Sequence, residues 1–147
     1  MKSSRRRSRE LALQGLYAWQ MSGEGAPGLR AQLAGSEEFR KADAAYFDLL
    51  LQGTIAQAVE IERMLASALD RKLEELSPIE HGILLMAAFE LRNSPDVPYK
   101  VIINEAVELA KSFGGTDGHK YVNGVLDRVA KTLRPEPAVR APDASAK

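Results

Sequence analysis

A chain of 147 residues, 45% hydrophobic and without cysteine, is long enough to bury one substantial core and excludes disulfide frameworks, thiolate metal sites and thiol catalysis. Its 20 basic and 20 acidic residues cancel, yet the first nine residues hold Lys2, Arg5, Arg6, Arg7 and Arg9 and no acid, so the charge is polarised rather than absent. The two histidines, His81 and His119, stand too far apart in sequence to suggest a metal or acid–base site, and no apolar run reaches the length of a membrane span.

The apolar periodicity predicts six helices and no strand. Residues 4–22 place Leu13, Leu16, Tyr17 and Gln20 on one face, with Ala12 and Trp19 beside it. Lys2, Arg5, Arg6 and Arg9 follow the same helical spacing ahead of that face. This Arg- and Ser-rich opening also has the composition of a transit peptide, but its apolar residues continue straight into a core-helix pattern, and Gln14 and Gln20 interrupt any secretory signal. Residues 23–28 are a Gly- and Pro-containing loop, and Leu29–Leu33 a short helix. One long helix is expected from Ala44 to about Arg71, led by Tyr46, Leu49 and Leu50 and continued by Ile55, Ala58, Ile61, Leu65, Ala68 and Leu69. Gly53 within it marks a kink or a close helix–helix approach.

Ser77-Pro78-Ile79-Glu80 is a helix start, with Ser77 as cap, Pro78 at the first helical position and Glu80 completing a capping box. The body that follows, Gly82 to Phe89, carries no charge, so this helix is expected at the centre of the fold, and Asn93-Ser94-Pro95-Asp96 ends it. A fifth helix runs from near Pro98 to Phe113, with Ile102, Ala106, Leu109 and Phe113 on its apolar face and Gly114-Gly115 as its stop; Phe113 also suits stacking on a base, though its spacing with Leu109 favours the core. A sixth, from about Asp117 to Leu133, buries Val122, Val125, Leu126, Val129 and Leu133. Residues 135–147, Pro- and Ala-rich and without periodicity, read as a disordered tail.

Chemistry-bearing residues concentrate in a few places. Arginine forks match phosphate oxygens, and clustered cations gain affinity by releasing counterions, so Arg5, Arg6, Arg7 and Arg9 with Lys2 suit a nucleic-acid backbone. The same cluster equally suits a solvated terminus. Tyr121, at the edge of its apolar face beside Lys120 and after Asp117 and His119, has the setting for stacking on an unpaired base, or for a boundary tyrosine with a wet hydroxyl. Lys100, Asn104, Val107 and Lys111 share one stripe that faces either phosphates or solvent. Asn123-Gly124 inside a helix suggests close approach by a helix or a ligand. Glu74, Glu75 and Glu80 suit a basic protein partner, or simple helix-start duty. No phosphate-cradling glycine loop, nucleophile elbow or metal-ligand spacing occurs, which points to a binding protein with no cofactor, no metal and no catalytic residues.

Three blocks, RRRSRELALQGLYAWQ, LEELSPIEHGILLMAAFEL and VPYKVIINEAVELAKSFG with HKYVNGVLD, together resemble the NusB family of transcription antitermination factors, from about Arg5 to Leu133. The resemblance implies an all-α fold of two three-helix bundles meeting lengthwise, the first over residues 4–72 and the second over 77–134 of a single domain spanning 1–134. It implies a complex with NusE, a ribosomal protein, that binds boxA-type single-stranded RNA in nascent ribosomal RNA transcripts within the cytoplasmic RNA polymerase antitermination complex. A homodimer is compatible with it. By position, Lys2, Arg5, Arg6, Arg7, Arg9, Asp117, His119, Lys120 and Tyr121 are the expected RNA contacts, and Glu74, Glu75, Glu80 and His81 the expected NusE contacts. His81-Gly82 departs from the basic and small-or-basic pair usual there, and Tyr121 replaces a frequent phenylalanine.

Overall fold

The computed structural model describes residues 2–115 and 117–135. Among these the chain forms eight α-helices and one 3-10 turn, and no strand. In order they are α1 (Ser4–Ser22), α2 (Ala26–Ala34), α3 (Glu37–Lys41), α4 (Ala44–Ala56), α5 (Ala58–Ala66), the turn Leu73–Glu75, α6 (Pro78–Asn93), α7 (Tyr99–Phe113) and α8 (Gly118–Leu133).

Helix α6 is the axis. Every residue from Gly82 to Leu91 is buried, and α6 packs against α1, α4, α5, α7 and α8 at once. A helix apolar on all sides is stable only when surrounded, and each fully buried Leu, Ile or Phe contributes roughly 1.5–3 kcal/mol. Ser77 starts it, its Oγ accepting from the Glu80 backbone N–H at 3.1 Å. That half of the expected capping box forms, and a serine cap of this kind is worth about 1 kcal/mol. Helices α7 and α8 close over one side of α6, burying Ile102, Ala106 and Leu109 against Val122, Val125, Leu126 and Val129. On the other side α1 and α4 bury Leu11, Leu13 and Leu16 against Phe47, Leu50 and Leu51. These residues belong to one continuous core.

The N-terminal half is more broken than its periodicity suggests. The helix expected over 44–71 divides at Gln57, whose N–H reaches back to the carbonyls of Gly53 and Ile55, and the second piece stops at Ala66. The pattern runs across the break because α4 and α5 pack on the same partner, α6, and both need an apolar face toward it. Gly53 makes a close approach and no kink: a Cβ there would collide with the Phe89 ring. Pro27, read as part of a loop, sits in the first turn of α2, where its missing N–H has no helical partner to lose. Helix α3 was not expected at all; Ser36 caps it by accepting from the Phe39 N–H at 3.3 Å. Of the tail expected over 135–147, only Pro135 lies within the described residues.

Two arginines hold the interior. Arg9 is 5% exposed, and its Nε donates to both Glu90 carboxylate oxygens at 2.8 and 3.0 Å, while the Tyr46 hydroxyl donates to Glu90 Oε2 at 3.1 Å. Burial opposes the charge on Arg9, yet the hydrogen-bonded Glu90 carboxylate outweighs it and raises the arginine pKa. Burial, then the Glu90 charge, raises the Tyr46 pKa, so the phenol stays a donor. Arg134, just past α8, donates to the backbone carbonyls of Glu90, Leu91, Ser94 and Val97 and so satisfies the C-terminal end of α6.

Candidate nucleic-acid and partner interface

The opening of α1 is an electrostatic oddity. Cations at a helix N-terminus are repelled by the helix dipole, and this first turn contains no acid. Carboxylates from other elements supply the compensation. Arg6 makes a two-pronged bond to Glu105 of α7, Nε to Oε1 at 3.0 Å and Nη2 to Oε2 at 2.7 Å. Arg7 reaches Glu38 of α3 at 2.7 Å, and Arg5 stands 3.8 Å from Asp43 with its guanidinium 4.1 Å from the centre of the Tyr46 ring. Lys2 pairs with Glu10 at 2.9 Å. The hydrogen bond from Arg6 holds the Glu105 pKa below its ordinary value although burial pushes the other way, and the same bond raises the Arg6 pKa.

The expected basic arm is therefore two things. Arg9 lies inside the protein, and its place in an exposed RNA-contacting set is corrected: the helical spacing that gathered it with Arg5 and Arg6 also turns it toward Glu90. Lys2 and Arg5 are exposed and Arg6 and Arg7 half-buried, each engaged with a carboxylate.

Between α1 and α7 runs a groove that sequence reasoning missed. At one end a small cleft is lined by Lys2, Arg6, Glu10, Glu105, Glu108 and Ser112. Glu10 is shared with the next hollow along, of about 320 Å³, lined by Leu13, Gln14, Tyr17, Ile79 and Phe113. Tyr17 and Phe113 were assigned to core faces, yet they are 42% and 44% exposed. They fall at the rims of their apolar stripes, so periodicity alone could not separate them from core, and their meeting across one hollow is a tertiary placement that no local spacing announces.

The start of α8 meets the start of α6. Gly118 lies so close to Glu80 that a Cβ there would push the carboxylate aside. Glu80, expected on a protein-binding face, thus touches the residue next to Asp117, expected on an RNA face. Lys120 and Asp117 pair at 3.6 Å and are both about three-quarters exposed, at 73% and 74% of their side chains. Tyr121 is half-buried: Arg71 covers its ring with the guanidinium 4.0 Å from the centroid. Its hydroxyl is buried near Asp70 without a well-formed hydrogen bond, and burial first, then Asp70, raises its pKa. Tyr121 thus has the setting of a boundary tyrosine, with Arg71 over its ring.

Glu74 and Glu75 are exposed on the 3-10 turn and have no ion-pair partner among the described residues. His81 Nε2 lies 3.0 Å from Glu62 Oε2, tying α6 to α5. Gly124 has nothing nearer than Arg128 at 3.9 Å from a built Cβ, so no helix approaches it. Lys111 pairs with Glu108 at 3.6 Å on a solvated stripe. No cluster of histidine, aspartate and glutamate suited to a metal occurs among the described residues, and no helix is long and apolar enough to cross a membrane.

Comparison with known proteins now adds to this geometry. The family model described as NusB family matches residues 6–131. A transcription antitermination protein NusB of Paraburkholderia phytofirmans is 56% identical over 134 residues, covering 91% of this chain and 93% of its own length. One from Bordetella pertussis is 53% identical over 145 residues, covering 96% and 94%. Among solved structures, T. maritima NusB superposes with a TM-score of 0.79 at 28% identity, over 95% of this chain and 99% of its own. A chain from the crystal structure of antitermination factors NusB and NusE in complex with double-stranded RNA gives 0.76 at 25% identity, over 86% and 96%. With its helical order, its central α6 and more than half its residues shared with such relatives, the chain belongs to the NusB family.

Proposed function

We propose that this chain is a non-enzymatic, cytoplasmic antitermination factor that pairs with NusE to hold boxA-type single-stranded RNA of nascent ribosomal transcripts. The observation that carries this reading is the α1–α7 groove, which joins a cation-bearing cleft to an apolar hollow flanked by half-exposed aromatics. Single-stranded RNA needs both: cations that follow its phosphates and flat apolar faces on which unpaired bases stack. Lys2, Arg5, Arg6 and Arg7 take the phosphates, and Tyr17 and Phe113 take bases, with His119, Lys120 and Tyr121 continuing the surface around the start of α8. Arg9 acts only by holding α1 on α6.

NusE docks over the acidic side, on Glu74, Glu75 and Glu80 with His81 nearby, which suits a basic ribosomal protein. Because Glu80 abuts Gly118, the RNA and NusE surfaces adjoin, and NusE completes the RNA site. The pair then joins the RNA polymerase antitermination complex. Without RNA, the apolar hollow favours a homodimer. A second reading has one observation in its favour: each cation of the α1 opening already has a carboxylate, as in a protein-interaction module whose arginines serve the fold.

Fluorescence anisotropy separates the two. Labelled boxA-like RNA, a scrambled strand and a duplex form of the same sequence are titrated across a salt series, with and without NusE. Preference for the boxA-like single strand that tightens with NusE is expected. Equal, weak and salt-sensitive binding to all three, unmoved by NusE, sinks the reading.

A further inference from the structure

Arg6 presents the fork that a phosphate needs, and that fork already grips a carboxylate. Nε and Nη2 each bond a different oxygen of Glu105, at 3.0 and 2.7 Å, the two-pronged geometry that guanidinium also adopts on phosphate. The pair is no closed interior contact: the Arg6 side chain is 37% exposed and opens on the cleft at the end of the groove. That cleft counts two cations, Lys2 and Arg6, against three carboxylates, Glu10, Glu105 and Glu108. A phosphate entering it meets a net negative lining and binds only where a carboxylate gives up its cation. Glu105 has somewhere to go, because Arg9 Nη1 lies behind it, 3.8 Å from Oε1.

We propose that Glu105 is an intramolecular phosphate mimic: it occupies the Arg6 fork in the absence of RNA and, by competition, sets how tightly any phosphate chain binds the groove. This rests on the RNA-binding reading above and adds a control element to it. The exchange of one anion for another on Arg6 also mutes the salt dependence, since the cation released from RNA is offset by one recruited near the freed carboxylate. Specificity is untouched, because every RNA pays the same competition and discrimination is a difference between RNAs.

Glu105→Gln keeps the shape and an oxygen acceptor while removing the charge, so it is the test. Against the boxA-like and scrambled RNAs, it is expected to tighten both by a similar factor, on the order of 3–10-fold, as for a part-exposed ion pair. The logarithmic salt slope should steepen by about 0.7, the value for one further phosphate contact on a single strand. Arg6→Gln placed on top should abolish the gain, and circular dichroism melts confirm that the variants are folded. Affinity that falls or stays level in Glu105→Gln, with an unchanged slope, overturns the mimic and leaves Glu105 as a positioning residue for Arg6. A gain that survives Arg6→Gln overturns it as well. If the unaltered protein binds neither RNA, with or without NusE, the RNA reading itself has failed and the proposal falls with it.

Discussion

The opening turns of α1 and the junction of α7 with α8 both carry residues whose chemistry suggests RNA, but their side chains are held in opposite ways. In α1 each cation is matched by a carboxylate from another helix or helix start, namely Asp43, Glu38, Glu105 and Glu90, so the charge there also fastens the fold. At the junction the aromatic Phe113 is half-exposed, and Lys120 and Asp117 lean on each other in solvent. Buried Arg9 in the first region carries architecture, whereas exposed Phe113, Lys120 and Asp117 in the second carry surface. A cluster of arginines is thus not one functional unit, and burial sorts its members.

Breaking the interior end of that contrast should have the largest effect. Arg9→Met leaves Glu90 charged, buried and short of its main partner, and removing one member of a buried pair costs about 3–5 kcal/mol. Chemical denaturation should register that loss, and Arg9→Met with Glu90→Leu together should recover most of it. A single variant as stable as the parent would show that the pair does not hold α1 to α6. Arg134→Ala comes next. It strips four carbonyl oxygens, those of Glu90 and Leu91 in the last turn of α6 and of Ser94 and Val97 beyond it, of a charged donor, for which a loss of about 2–3 kcal/mol is expected, partly relieved by water.

The exposed end should respond in binding and not in folding. Phe113→Ala removes a half-exposed ring, so its melting temperature should stay near that of the parent. Its affinity for boxA-like RNA should fall by about 1–3 kcal/mol, the worth of one stacked base. Full RNA affinity in that variant would move base contacts away from the hollow.

What the sequence discloses follows the same division. Helix α6 was legible because ten consecutive buried residues leave no polar face to misread, and Ser77-Pro78 announces its start. The division at Gln57 was not, because both pieces face α6 and keep one pattern. At the candidate site, the arginines were visible as a cluster, but their carboxylates arrive from as far as 99 residues away, and no local spacing reveals them. Tyr121 and Phe113 each suited stacking or packing for a related reason: an aromatic at the rim of a stripe is covered or bare according to its neighbour, here Arg71 over one and an open hollow beside the other. Arg134 sat beyond the last apolar position, where sequence offers no hint of four waiting carbonyls.

The smallest effect sharpens the boundary between the two regions, since the Arg6–Glu105 pair lies on it. Glu105 has a folded-state pKa below its ordinary value of about 4.3, chiefly through the hydrogen bond from Arg6. A depressed carboxylate pKa means that stabilisation is fully present above the unfolded value and disappears as pH falls through the folded one. Melts of the parent and Glu105→Gln should therefore differ by a constant amount, below about 1 kcal/mol for a partly solvated pair, from neutral pH down to about 5. The difference should vanish only under acid beyond the ordinary carboxylate range. The same stability in both proteins at neutral pH and under acid would mean that Glu105 is not held by Arg6 in solution, and the fork would stand open to phosphate before any RNA arrives.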